Sequence, residues 1–400
     1  MAAYLYGMPT VLTRLTVQTF PKNQLVGIGQ LTTPATRTVV APNHDTLYTV
    51  SQVDLSAGPV LIDAPASPDR YAVLQLLDAY TNDFAYIGSG ADRDHASTTA
   101  LVPPGWQGSL PAGVRVVHSP TKLVWLLGRT LIDSAADLPA AKALLAQYGL
   151  TPLGGQRTPE LVLPAFPGRP PVVLPKGAAF FDALRTALAA DPPPASDACA
   201  LKAFSKLPAN GPALVAAAKD GDRLVTRAYA VLQRANRRAH NGWVFTAPET
   251  GHFGTDYAYR AVIAKYGLGA NLNSEALYPN TTLDRQGRPL SGRHDYVVTF
   301  PAGELPPVRS FWSLTMYDTN RFLVPNPIDR YTVGDRSAGL KYGRGRSLTI
   351  YVSHRAPAKR LQSNWLPAPA GHFSLYLRLY EPKAAATNGR WQPPTVSRVR

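Results

Sequence analysis

Proline constrains this chain more than any other residue: 38 of its 400 residues are proline. Each one fixes its own φ, lacks an N–H and disfavours helix at the residue before it. A chain broken so often suits short strands and loops better than a helical bundle. Its length exceeds one ordinary core; domains cluster near ~100–150 residues, so two or three are expected. An apolar fraction of 45% with 9% aromatics excludes wholesale disorder.

Between the breakers the apolar runs are short. Residues 1 to 20 read as a short helix broken by Pro9. Thr38–Val40, Thr46–Val53, Val60–Ile62, Tyr71–Leu77, Val114–Val117 and Leu123–Leu127 read as strands between turn residues. Tyr71–Leu77 is apolar on both faces, as for a strand between two layers. A helix is expected from Asp137, which can cap it, to Gly149, which can end it. Pro159, Pro164, Pro167, Pro170, Pro171 and Pro175 make an extended connector. Helices follow at Ala178–Ala190, stopped by Asp191-Pro192-Pro193-Pro194, at Pro212–His240, where Gly221 can divide it, and at Thr255–Lys265. From Leu277 the β texture returns, and Ser347–Val352 alternates. Phe373, Leu375, Leu377 and Leu379 face one way, and His372, Ser374, Tyr376, Arg378 and Tyr380 the other. That alternation predicts antiparallel sheet with one wet face.

The two strand-rich segments echo each other. Tyr48 and Tyr278 are each followed six residues later by Asp, at Asp54 and Asp284, and five residues further by Pro59 and Pro289. Each segment then reaches a strand ending in Asp: Leu76-Leu77-Asp78-Ala79-Tyr80-Thr81-Asn82, and Leu314-Thr315-Met316-Tyr317-Asp318-Thr319-Asn320. The fold class expected is mainly β with a helical connector: two jelly-roll-like antiparallel β-sandwich lobes, as an internal duplication gives. The alternative is chance likeness between short strand–turn words. The boundaries expected are 1–165 for the first lobe, 166–240 for the connector and 241–400 for the second lobe.

A formal net charge of +15 raises the question of a nucleic-acid partner. The arginines are scattered, apart from Arg234, Arg237 and Arg238 on a helix and a basic tail ending at Arg400. No basic stripe carries interleaved aromatics, so nucleic acid is not the expected partner. The single cysteine, Cys199, excludes an internal disulfide and lies in a Pro/Ala/Asp-rich stretch that suits an incidental residue better than a nucleophile. No run reaches the ~18 apolar residues of a membrane-spanning helix. Met1 leads at once into ordered-looking sequence, Ala3 to Pro9, which leaves localisation open: cell envelope or exported if an upstream segment has been removed, cytoplasmic otherwise.

Several long words carry a family likeness. Pro42-Asn43-His44-Asp45-Thr46-Leu47-Tyr48, Asp54-Leu55-Ser56-Ala57-Gly58-Pro59, and Arg70-Tyr71 leading to Asp78–Asn82 resemble domain-of-unknown-function family 1254. Gly242-Trp243, Tyr257 with Arg260-Ala261, Gly267-Leu268-Gly269-Ala270-Asn271, Phe311–Asp318, Asn326–Tyr331 and Asn364–Pro369 resemble family 1214, its usual C-terminal companion. The resemblance implies paired jelly-roll-like domains in bacterial proteins that are often exported and form oligomers. It implies no established activity. One departure is Gly343-Arg344-Gly345-Arg346, where a polar Asp-Gly turn often stands, which puts an acidic role there in doubt.

The densest polar cluster is Asn43, His44, Asp45, Tyr48, Asp78, Tyr80 and Asn82. Two carboxylates beside a histidine and two phenols can do acid–base work, and Asp45 and Asp78 are the candidate catalytic pair. The same groups can bind a sugar-like ligand through Tyr stacking and Asn/Asp hydrogen bonds. They equally suit Asx turns at strand ends. The second lobe adds Trp312, Tyr317, Asp318 and Arg330 as ligand-binding candidates, with Asn326, Asp329, Tyr331 and Trp365 nearby; Trp312 and Trp365 suit core anchors better. Arg260, with Tyr257, can reach an anionic group, although a buried salt bridge is the plainer expectation. No metal-ligand spacing, nucleophile elbow, P-loop or dinucleotide fingerprint is present, so neither metal nor cofactor is expected. The functions that remain are an envelope binding or assembly protein for a small polar ligand, a hydrolase or lyase using Asp45 and Asp78, and a structural homo-oligomer of jelly-roll subunits.

Overall fold

The structure, a computed structural model, describes residues 1–37, 41–165, 172–202, 204 and 211–399, with 237–239 by backbone only. The expected strand Thr38–Val40, Pro167, Pro170, Pro171, Arg400 and the side chains of Arg237 and Arg238 lie outside the described residues. The chain forms two strand-rich regions separated by a helical segment. It divides into two compact units that are discontinuous in sequence. One holds Met1–Gln30, Thr46–Tyr229 and Glu249–Ala270; the other holds Leu31–Asp45, Ala230–Pro248 and Asn271–Arg400.

The first unit contains a six-stranded and a five-stranded sheet. The six-stranded sheet runs in the order 161–163, 26–28, 46–54, 123–131, 72–77, 83–87. The five-stranded sheet runs 158–159, 149–152, 60–64, 97–102, 115–118. Pairing is antiparallel except between 26–28 and 161–163 and between 97–102 and 115–118. Val53, Leu74, Leu76, Val124 and Leu126 from one sheet meet Val60, Ile62, Leu101 and Leu150 from the other in a single apolar cluster. That is a β-sandwich, and it explains why Ala72–Leu77 is buried along its whole length.

The other face of the six-stranded sheet is covered by helices. Tyr6, Val17, Tyr80, Val50, Leu77, Leu123, Trp125 and Leu127 form that layer. Helix Ala2–Val17 runs through Pro9 instead of breaking there. Met8, Pro9, Thr10 and Val11 are all buried, so packing holds the turn that the missing N–H leaves open. Gly221 does not divide helix Pro212–Ala239 either. A Cβ there would stand 2.6 Å from the Tyr4 ring, so the glycine permits a close approach. The helix expected over 137–149 is shorter, Leu138–Leu145, and the Asp137 side chain does not cap it. Arg70 takes that carboxylate through both guanidinium nitrogens, at 2.6 and 2.5 Å. Gly149 opens a strand instead.

The second unit is also a sandwich. One sheet runs 276–277, 373–380, 312–318, 332–334, with 280–281 also on 373–380; the other runs 365–367, 348–353, 296–300, 396–398. Trp312, Leu314, Met316, Leu375, Leu377 and Leu379 pack against Tyr296, Val298, Phe300, Ile350 and Val352 between them. Leu348, Ile350 and Val352 are buried while Thr349 and Tyr351 are half-buried, as the alternation requires. The wet face expected on Phe373–Tyr380 is not wet: Ser374, Arg378 and Tyr380 are buried as well. Asn43 donates to the Tyr380 hydroxyl and Arg378 to the Ala41 carbonyl, so the 31–45 segment meets these two side chains in place of water.

Candidate functional site

Asp78 ends strand Ala72–Leu77 and closes a five-residue turn. Its Oδ1 accepts the backbone N–H groups of Tyr80 and Asn82, both at 2.8 Å, and its Oδ2 accepts Asn82 Nδ2 at 2.9 Å. Thr81 takes the left-handed conformation at φ 70°. Asp318 builds the same turn, bonding the N–H groups of Asn320 and Phe322 at 2.8 and 2.9 Å, with Arg321 at φ 65°. Asp284 repeats it with Gln286 and Arg288, and Asn326 with Ile328 and Arg330. A short side-chain acceptor at a strand end supplies what the departing backbone loses. Burial pushes the Asp78 carboxyl above the usual range, while the turn donors and Arg260 pull it back.

The turn sends Tyr80 into the helix–sheet layer, where its hydroxyl donates to the Asp191 carbonyl at 2.6 Å. There Tyr80 meets Arg260, the fourth residue of helix Tyr257–Gly267. The guanidinium stands over the rings of Tyr6, Tyr257 and Tyr80 at 5.0, 5.1 and 5.6 Å. Tyr6 and Tyr257 both donate to the buried Asp197, at 2.7 and 2.9 Å, and burial plus that bond raises both phenols. The buried salt bridge expected for Arg260 is absent among the described residues. The residue is 2% exposed, and its Nε and Nη2 have no hydrogen-bond partner there. Three aromatic faces replace the carboxylate.

Other unmet polar atoms collect in this layer. Tyr6, Thr10, Thr13 and Val17 lie on one stripe of the first helix at helical spacing. Tyr6 and Val17 pack in the cluster that holds Trp125 and Tyr80. The hydroxyls of Thr10 and Thr13, the Trp125 indole N–H and the Thr81 hydroxyl are all buried without a partner among the described residues. Tyr48 packs against the same cluster. Gly269, at φ 76°, lets the indole fit: a Cβ there would stand 2.9 Å from the Trp125 ring. Sequence reasoning reached Tyr48, Tyr80 and Arg260. It missed Thr10, Thr13 and Trp125, for which only the helical spacing of Tyr6, Thr10 and Thr13 was a signal.

The remaining candidates belong to the second unit. Asn43 Nδ2 donates to the Tyr380 hydroxyl at 2.7 Å. His44 Nδ1 bonds the Thr32 carbonyl at 2.5 Å, an arrangement that requires the proton on Nδ1, and burial lowers its pKa. Asp45 Oδ2 accepts Ser313 Oγ at 2.6 Å and its Oδ1 pairs with Arg336 at 2.9 Å. Tyr317 donates to the Pro42 carbonyl at 2.6 Å, and Arg378 to the Ala41 carbonyl at 2.9 Å. Trp312 is a core residue. Arg330 bonds the carbonyls of Gln362 and Trp365 at 2.6 and 3.0 Å. Asp45 and Asp78 therefore fall in different units.

A cleft of about 340 Å³ in the first unit is lined by Asp63, Ala64, Pro65, Ala96, Ser97, Thr98 and Gln147, none of them a sequence candidate. Both Asp63 oxygens are taken, by Thr98 and Arg157. Among the described residues no three His, Cys, Asp or Glu side chains converge as metal ligands would, and no helix is long and apolar enough to cross a membrane.

Comparison with known proteins agrees with the pairing of the two families, although the words between Gly242 and Asn271 lie outside the matched residues. Residues 22–152 match the family described as "Protein of unknown function (DUF1254)", and residues 275–384 the one described as "Protein of unknown function (DUF1214)". No curated protein matches the chain. The VPA0106 protein of Vibrio parahaemolyticus shares the fold, with a TM-score of 0.71 at 23% identity over 100% of this chain and 98% of that one. An uncharacterised Burkholderia cenocepacia protein aligns at a TM-score of 0.49 and 14% identity over 99% of this chain and 86% of its own. This chain is thus a DUF1254–DUF1214 protein, with the first family in its N-terminal half and the second in its C-terminal half.

Proposed function

We propose that this protein binds a small polar ligand enclosed between its first helix and the six-stranded sheet, in contact with Arg260. One observation carries the reading: a buried guanidinium with two unmet donors, in a layer that also holds the unmet donors of Trp125, Thr10 and Thr13. An unpaired buried charge and unmet polar groups cost several kcal/mol, and proteins keep them where something else completes the bonds. Tyr6, Tyr80 and Tyr257 supply aromatic walls.

Acid–base catalysis by Asp45 and Asp78 has less support. Each carboxylate accepts bonds on both oxygens from its own unit, Asp78 within its turn and Asp45 from Ser313 and Arg336. The recurrence of one Asx turn favours a framing role for Asp78 and Asp318, and the matching turns of that one pair are what supports a duplicated jelly-roll origin of the two sandwiches. Assembly into a homo-oligomer stays a proposal on the family likeness alone.

The test is thermal unfolding of the intact protein against a panel of small polar compounds, repeated on Thr13→Val. A compound that raises the melting temperature of the native protein and raises it less in the variant supports the reading. A panel spanning sugars, amides, amines and acids that shifts neither protein overturns it.

A further inference from the structure

The geometry points to a small monocarboxylate as the ligand of this layer, held in a two-pronged bond by the Nε–Nη2 edge of Arg260. The inference rests on the reading that the layer binds a ligand at all, and goes on to name its chemistry. The two unmet nitrogens of Arg260 are not an arbitrary pair. Nε and Nη2 share one edge of the guanidinium, where their N–H bonds run parallel. That edge matches the two oxygens of a carboxylate with two nearly linear hydrogen bonds. A neutral amide presents one acceptor to the same edge and leaves the other donor unmet.

The surroundings select within the anions. Asp197, 2% exposed, accepts the hydroxyls of Tyr6 and Tyr257, two of the rings that flank Arg260. Asp78, 5% exposed, interacts electrostatically with the same guanidinium. Acidic side chains this close tolerate one added negative charge beside one arginine better than two, which disfavours a phosphate dianion. The ring faces above the guanidinium leave its edge as the direction in which a planar anion can lie. The Trp125 indole and the hydroxyls of Thr10, Thr13 and Thr81 are further unmet donors of the layer among the described residues, and they suit a second polar group on the same small molecule. Asp197 and Trp125 stand outside the polar words that singled out this region in the sequence; only the fold brings them to Arg260.

The experiment measures the melting temperature of the intact protein with acetate, propionate and benzoate, with the matching neutral amides, and with inorganic phosphate, all at one ionic strength. The same series is run on Arg260→Lys and on Thr13→Val, each first checked for a native circular-dichroism spectrum. Carboxylates are expected to raise the melting temperature where amides do not, with at least a tenfold weaker effect in concentration for Arg260→Lys, which keeps the charge and loses the fork. Amides that match the carboxylates, or phosphate that exceeds them, overturn the carboxylate assignment while the ligand reading stands. An Arg260→Lys variant that is folded and still responds fully also overturns it. If Arg260→Lys fails to fold, the carboxylate-against-amide contrast in the native and Thr13→Val proteins decides alone. Silence from every probe in the native protein overturns the carboxylate assignment, and the ligand reading falls with it only when the sugars and amines of the wider panel are silent as well.

Discussion

At the scale of single residues, two buried acids of the first unit stand well above the usual carboxyl range. Glu160 is buried, with Oε1 bonded to Thr49 at 2.7 Å and Oε2 unmet among the described residues, and burial pushes it from 4.5 up to about 8. Asp83, bonded by Gln75 and Tyr86, is likewise pushed from 3.8 up to about 8. Between the unfolded and folded values the native chain holds protons that the unfolded chain has released. The stability that these two groups contribute is therefore full below pH ~4 and falls as the pH rises towards 8, by a few kcal/mol for each group. Urea denaturation at pH 5 and pH 8 will show that loss, and Glu160→Gln will reduce it; an unchanged pH dependence in the variant contradicts the assignment. Gly27 makes room for this carboxyl, since a Cβ there would stand 2.2 Å from Oε1. Gly27→Ala should cost about 2 kcal/mol, and less in a Glu160→Ala background, because overpacking is relieved when its partner shrinks. None of this was legible in the sequence. Glu160 lies in a proline-rich stretch that reads as connector, and only the crossing from strand 158–159 to strand 161–163 carries its side chain inside.

At the scale of elements, the Asx turns set where strands stop. Asp78→Asn keeps the Oδ1 acceptor and should cost under ~1 kcal/mol, whereas Asp78→Ala leaves two buried N–H groups unmet and should cost about 2–4 kcal/mol. Equal losses in the two variants, measured by chemical denaturation, would mean that the turn is not what Asp78 supports. On the first helix, Thr13→Val removes a buried hydroxyl with no partner among the described residues. It should raise the stability of the ligand-free protein by about 1 kcal/mol, since the methyl fits where the hydroxyl is unmet. Local pattern carried much of this level. Ala178–Ala190 has the limits expected for it, ending at the Asp191-Pro192-Pro193-Pro194 stop, the strands at 46–54 and 60–64 form from apolar runs between turn residues, and 348–353 follows its alternation. It failed where distant partners decide: Pro9 sits inside a helix held by packing, and Asp137 turns away from its helix to Arg70.

At the scale of the whole molecule, the DUF1254 region contributes to both units, because Leu31–Asp45 belongs with the C-terminal strands. Asp45 is buried against Arg336 and Ser313. A C-terminal fragment beginning at residue 230 should therefore expose the polar sheet face and stay incompletely folded, and a peptide of residues 31–45 should restore its near-ultraviolet circular dichroism. A fragment that folds fully alone would contradict that dependence. The candidate site has the same origin. Tyr6, Tyr80, Trp125, Asp197 and Arg260 come from separate segments, so no local word announces them, and Arg260 with Tyr257 was the one pair close enough in sequence to be noticed. The most direct test of the central claim is the electron density beside Arg260 in a crystal of the intact protein grown with a monocarboxylate that raises its melting temperature. Two ligand oxygens are expected at about 2.7–3.2 Å from Nε and Nη2. An Arg260 whose edge instead bonds Asp78 or Asp197 directly, with the carboxylate found elsewhere, would contradict it.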